Sequence, residues 1–112
     1  MELPQVANNI PATVYDFSTG EQLASGRCSV KFIEHTDRLR VMRNRFEGYF
    51  RTANQDDTDR LNAHLIRMIS QGAPAHQMIV EYEDKRYSLT VKFELGDGTL
   101  FSFSGRAEPT IV

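Results

Sequence analysis

The stretch DRLRVMRNRFEGYFRTA, residues 37–53, decides between two architectures for this chain. Leu39, Met42, Phe46, Tyr49, Phe50 and Ala53 share one face at the 3.6-residue period of a helix, with Arg40, Arg43, Asn44, Glu47, Gly48 and Arg51 around the other side. Against a helix stand Gly48 and the aromatic run Phe46 to Phe50, which suit a strand bent by a glycine, with Arg43-Asn44-Arg45 as a turn. Helical agreement across the whole stretch is harder to reach by accident than a broken alternation, so helix is the favoured reading. It predicts an α+β domain ordered β-β-α-α-β-β-β, an antiparallel β-sheet with two helices on one face. The extended reading predicts a curved sheet or small barrel with one helix.

The flanking segments are read the same way under either choice. Asp56 and Asp57 offer a side-chain cap, Asp59 adds negative charge to the first turn, Leu61, Leu65, Met68 and Ile69 form a stripe, and Gly72 closes a helix. Beyond it, Tyr87, Leu89, Val91, Phe93 and Leu95 alternate with polar residues as a half-buried strand does. Gly96-Asp97-Gly98 supplies a tight turn, and Thr99 to Ser104 returns with Phe101 and Phe103 on one face. Met78, Val80 and Tyr82 precede this pair, joined through Glu83-Asp84-Lys85-Arg86, so the C-terminal part is an antiparallel meander. At the other end, Thr13 to Phe17 and Arg27 to Glu34 flank Ser18-Thr19-Gly20-Glu21 as a hairpin, with Cys28, Val30 and Phe32 on a common face. Residues 1–11 read as a lead-in, 12–107 as a single domain and 108–112 as a tail. The expected core is Val30, Phe32, Leu39, Met42, Phe46, Phe50, Leu61, Leu65, Met68, Ile69, Val80, Leu89, Val91, Phe93, Phe101 and Phe103.

Composition bounds the possibilities. A chain of 112 residues, 40% hydrophobic and 25% charged, has the length of one core and the balance of a globular protein, which excludes disorder and fibrous repeats. No apolar run approaches the roughly 18 residues of a membrane span, and the first residues lack the pattern of a secretory signal, so the expected location is cytoplasmic. A lone Cys28 rules out an internal disulfide framework. The net charge of −2 argues against a surface wholly dedicated to nucleic acid, but its distribution is uneven. Between Arg27 and Arg51 seven basic residues face only Glu34, Asp37 and Glu47.

That basic stretch holds the candidate site. Guanidinium groups bind phosphate and carboxylate as a fork, and Arg38, Arg40, Arg43, Arg45 and Arg51 form the candidate anion-binding set. The plainer reading is a solvated face whose charges pair with Glu34, Asp37, Glu47 and the Asp56-Asp57-Asp59 turn. Nucleic-acid binding would call for exposed aromatics among the arginines, whereas Phe46, Tyr49 and Phe50 read as core. Asp16-Phe17-Ser18-Thr19-Gly20 is similar to the Asp/Asn-x-Ser-x-x-Gly signature of PilZ domains, which bind cyclic di-GMP. Here the interval from Ser18 to Gly20 is one residue short and the arginines follow the segment instead of preceding it, so no binding residue is carried over and a polar turn is expected.

The remaining chemistry is sparse. His35, His64 and His76 have no metal-motif spacing; His64 falls on the apolar side of its helix as a core histidine, while His35 and His76 are expected at the surface. Cys28 faces inward as a small hydrophobe. Asp56-Asp57 reads as a helix cap and Glu81/Glu83 as a strand's exposed alternation; Gly96 and Gly98 read as hairpin glycines. No motif calls for a cofactor or a metal. Three functions follow, from different classes. The leading one is a non-catalytic protein-interaction module binding itself or another chain through an open sheet edge or exposed helical surface. The alternatives are an anion, nucleotide or nucleic-acid binder using the five arginines, and an enzyme whose acid–base groups, the three histidines, converge only in the fold.

Overall fold

The computed structural model describes every residue except 1, 2, 73, 74, 95 and 97, with the backbone alone at 35–37 and 40–44. The elements are β1 (Val6–Asp16), β2 (Gln22–Asp37), β3 (Arg40–Thr52), α1 (Gln55–Ser70), β4 (His76–Tyr82), β5 (Lys85–Phe93), β6 (Leu100–Gly105) and β7 (Thr110–Ile111). The strands form one antiparallel sheet in the order β4-β1-β2-β3-β6-β5-β7, and β4 also pairs with β5, so the sheet curves round into a ring. Its shortest link is β5 to β6, through Lys92 with Ser104 and Phe93 with Phe103.

The favoured two-helix arrangement is therefore wrong, and residues 40–52 are extended. Phe46 and Phe50 share a face at either period, because four residues are about one helical turn and also two strand repeats. They could not discriminate. Gly48 and Tyr49 do: a Cβ on Gly48 would lie 2.0 Å from the Ser29 carbonyl oxygen, so only glycine permits this approach of β2 and β3. Tyr49 is 57% exposed on the opposite side from buried Phe46 and Phe50. Pairing with β2 on one side and β6 on the other satisfies the backbone groups that a helix would have satisfied internally.

The start of β1 at Val6 lies inside the stretch that lacks periodicity. A bulge explains it: the register with β2 shifts between Ala7 and Ile10, and Asn9 takes φ 54°. The turn after β1 is the polar one expected. Asp16 Oδ1 accepts the Ser18 N–H at 2.9 Å, and the Gly20 N–H donates to the Asp16 carbonyl.

Helix α1 begins at Asn54, two residues before the expected cap. The Asn54 backbone is extended (φ −156°, ψ 173°) and its side chain accepts the Asp57 N–H, leaving Asp56 and Asp57 in the first turn. The helix is held to β2 by Asp57, which accepts the Ser25 N–H at 2.9 Å, and by Arg60, which donates to the Leu23 carbonyl at 3.2 Å. Thr58, Leu61, His64 and Leu65 are its buried face. Ile69, expected in the core, is 55% exposed because it stands on the side turned from the sheet; Met68 is half-buried.

The interior is lined by tilted and edge-on aromatic contacts that link Phe32, Phe46, Phe50, Phe93, Phe101 and Phe103. Of the expected core, Leu39 is overturned, being 98% exposed at the β2–β3 turn, and the Met42 side chain lies outside the described residues. Apart from these two and from Met68 and Ile69, the core residues named from the sequence are buried.

One part of the sheet leaves the ring. Pairing of β1 with β2 ends at Val6 with Lys31, apart from the Phe32 N–H to Gln5 carbonyl bond, and pairing of β6 with β3 ends at Phe46 with Gly105. Among the described residues, 33–37 and 40–45 thus share a strand ladder with each other beyond the ends of the β1 and β6 ladders, as a two-stranded arm. Its turn places Arg38 (φ 49°) and Leu39 (φ 69°) both in the left-handed region, the geometry of a type I′ hairpin.

Candidate functional site

The arginine set runs from the β2–β3 turn to the far end of β3. Arg38 sits at the arm's tip, Arg40 and Arg43 are arm positions whose side chains lie outside the described residues, and Arg45 and Arg51 are exposed on β3. The four on β3 are spread over its length at about 3.3 Å per residue.

The outer face of the ring instead brings Arg51 to a residue outside that set. Strand alternation turns Arg27, Ser29 and Lys31 of β2 outward, opposite Arg51, Tyr49 and Glu47 of β3, with Cys28, Val30, Phe46 and Phe50 inward. Arg27 and Arg51 are direct cross-strand partners, and like charges placed so repel. The Arg27 Nε donates to the Asn9 side-chain oxygen at 2.9 Å and to the Asn9 carbonyl at 3.1 Å, with a further bond from its terminal nitrogen, so the β1 bulge fixes that guanidinium. Arg51 has no hydrogen bond or ion pair among the described residues. The two arginines line a groove of about 560 Å³ with Asn9, Thr13, Ser25 and Arg86, and Glu81 stands opposite Arg86 in register. A second concavity, sharing Asn9, Arg27 and Arg51, continues to Tyr49; a third, sharing Ser29 and Tyr49, runs on to Lys31.

Sequence reasoning missed this face because Tyr49 was assigned to the core and Arg27, though inside the basic stretch, was left out of the candidate arginine set. The signal was present. Arg27, Ser29 and Lys31 alternate with Cys28, Val30 and Phe32, and Arg45, Glu47, Tyr49 and Arg51 alternate with Phe46, Gly48, Phe50 and Thr52.

A second polar cluster is buried. His64 Nε2 lies 3.1 Å from Asp16 Oδ2, and His64 Nδ1 lies 2.9 Å from His76 Nε2. The carboxylate can only accept, so His64 Nε2 carries a hydrogen; in neutral His64 the Nδ1 then accepts from His76 Nε2–H. His76 Nδ1 is left as a buried lone pair with no partner among the described residues. His76, expected at the surface, is fully buried because it opens β4 in phase with inward Met78 and Val80, registered with Asp16 on one side and Val91 on the other. Burial, reinforced by the neighbouring His64 charge and partly offset by Asp16, pulls the His76 pKa down to about 4. The Ser18 N–H and then His64 hold the Asp16 carboxyl below its ordinary value.

The chain Asp16–His64–His76 can order protons, but His64 and His76 line none of the grooves above, so it meets no ligand there. The His35 side chain lies outside the described residues. Burial pushes the Cys28 thiol up to about 12, which removes it as a nucleophile. Among the described residues no three His, Cys, Asp or Glu side chains converge as metal ligands, and no helix is long and apolar enough to cross a membrane. No family model, curated protein or solved structure matches the chain.

Proposed function

We propose that the chain is a non-catalytic self-association module in which the β2–β3 arm of one copy docks on the body of another. What supports this reading is the arm's place in the sheet: among the described residues the β2–β3 ladder runs on through 33–37 and 40–45 after the ladders with β1 and β6 have ended, so the ribbon has two edges that no further strand ladder continues. Edges of that kind take up another chain by strand addition. Exposed Leu39 adds an apolar tip.

Charge favours a second copy as the occupant. Residues 33–45 carry four arginines against Glu34 and Asp37, and the rest of the chain holds nine basic and thirteen acidic residues. Exposed Asp56 and Asp59 on α1, and Glu81, Glu83 and Asp84 at the β4–β5 turn, supply the complement. A contact between arm and body builds a dimer where two copies reciprocate it across a two-fold, and a ring or filament where it repeats head to tail.

Sedimentation velocity over about a hundredfold range of concentration tests this. Mass is expected to rise with concentration and to fall back at high salt, while a chain with residues 36–41 replaced by Asn-Gly stays monomeric with the same circular dichroism. A wild-type particle that stays monomeric throughout overturns the reading.

A further inference from the structure

We propose that the outer face of β2 and β3 within the ring binds single-stranded nucleic acid, a backbone phosphate lying between Arg27 and Arg51 and a base stacking on Tyr49. This goes beyond self-association and uses a different surface. The argument starts from charge pairing. Along the outer face Lys31 stands opposite Glu47, Arg86 stands opposite Glu81, and Glu94 accepts the Ser102 hydroxyl at 3.0 Å. Arg27 opposite Arg51 is the like-charged exception. Two arginines at directly paired positions of a ladder, one of them fixed by Asn9, are relieved of their repulsion by an anion bound between them.

The neighbouring residue narrows the anion. Tyr49 is two residues along β3 from Arg51, on the same face, and 57% exposed. An exposed aromatic beside paired arginines matches the requirements of a nucleotide unit, whose base has a stacking face and whose phosphate has a charge. The concavities at Arg86, at Tyr49 and towards Lys31 share lining residues, so the trough suits an extended strand better than a single small ion. Stacking on Tyr49 requires a base free of its own partner, which selects single strands over duplex.

Fluorescence anisotropy with a labelled oligothymidylate of about twelve nucleotides tests this, since open single-strand sites cover about 4–16 nucleotides. Wild-type chain is expected to bind at low salt, with affinity falling as salt rises. Arg51→Gln and Arg27→Gln should each weaken binding about tenfold and flatten the salt dependence by about 0.7 in log–log slope. Tyr49→Leu should weaken it at least about fivefold while Tyr49→Phe retains it, and heparin binding should be indifferent to either tyrosine change. Because Arg27 also holds the β1 bulge, Arg51→Gln is the deciding arginine variant, with thermal unfolding as the check on folding. The proposal is overturned by absent binding at low salt, by unchanged affinity in Arg51→Gln, by preference for duplex, or by a Tyr49→Leu chain that binds the oligonucleotide as wild type does.

Discussion

The ring and the arm are made by the same two strands, yet they obey different constraints. From Phe46 to Arg51, β3 is paired on both sides and its inward residues close the aromatic core. Before Phe46 the same strand has one partner, and the turn it leads from holds a leucine 98% exposed in a left-handed conformation. A strand's stability here is set by what lies on either side of it more than by its own letters.

The largest test of that contrast is truncation at the two ends of β3. Phe50→Ala is expected to cost about 3–5 kcal/mol, since Phe50 is fully buried against Phe93, whereas Leu39→Ala should change stability by less than about 0.5 kcal/mol. Urea unfolding of the two variants measures both.

Acid should loosen the body next. His76 has a folded pKa of about 4 against an ordinary 6.5, so as pH falls the unfolded chain takes up its proton first. The stability this group contributes is complete above pH 6.5 and is lost between there and pH 4, on the order of 3 kcal/mol. Asp16, with a lowered pKa, adds a further loss as pH drops below its ordinary 3.8. Urea midpoints across pH should show this slope in the wild type, and His76→Phe should flatten the upper part of it.

Smaller effects come from the two backbone positions that separate ring from arm. Gly48→Ala forces a Cβ against the Ser29 carbonyl oxygen and the Phe103 ring, and is expected to cost roughly 1–3 kcal/mol by thermal unfolding. At the tip the sign reverses: Leu39→Gly relieves a left-handed leucine and should stabilise the hairpin by up to about 1 kcal/mol.

Much of this architecture was legible in the sequence. The alternation from Tyr87 to Phe93, the polar turn at Asp16 to Gly20 and the helix through Leu61 and Leu65 form as read, although of the stripe Leu61, Leu65, Met68 and Ile69 only the first two are buried. Residues 37–53 misled because their bulkiest members are spaced by four, which both periods accept. The site was less legible, for the same reason: taking Tyr49 as part of a helical apolar face hid the exposed aromatic beside Arg51. The Asp16–His64–His76 chain joins residues 48 and 12 positions apart, a convergence made by the β1–β4 ladder, which sets Asp16 beside His76, and by α1, which brings in His64.

Hydrogen exchange followed residue by residue at low and high protein concentration tests the central claim, that the arm is an open edge awaiting a second copy. Amides of Phe46–Arg51 should be protected at both concentrations. Those of residues 33–37 and 40–45 should exchange quickly when dilute and become protected when concentrated. An arm as protected as the ring in the dilute chain, or one whose exchange ignores concentration, would contradict the account.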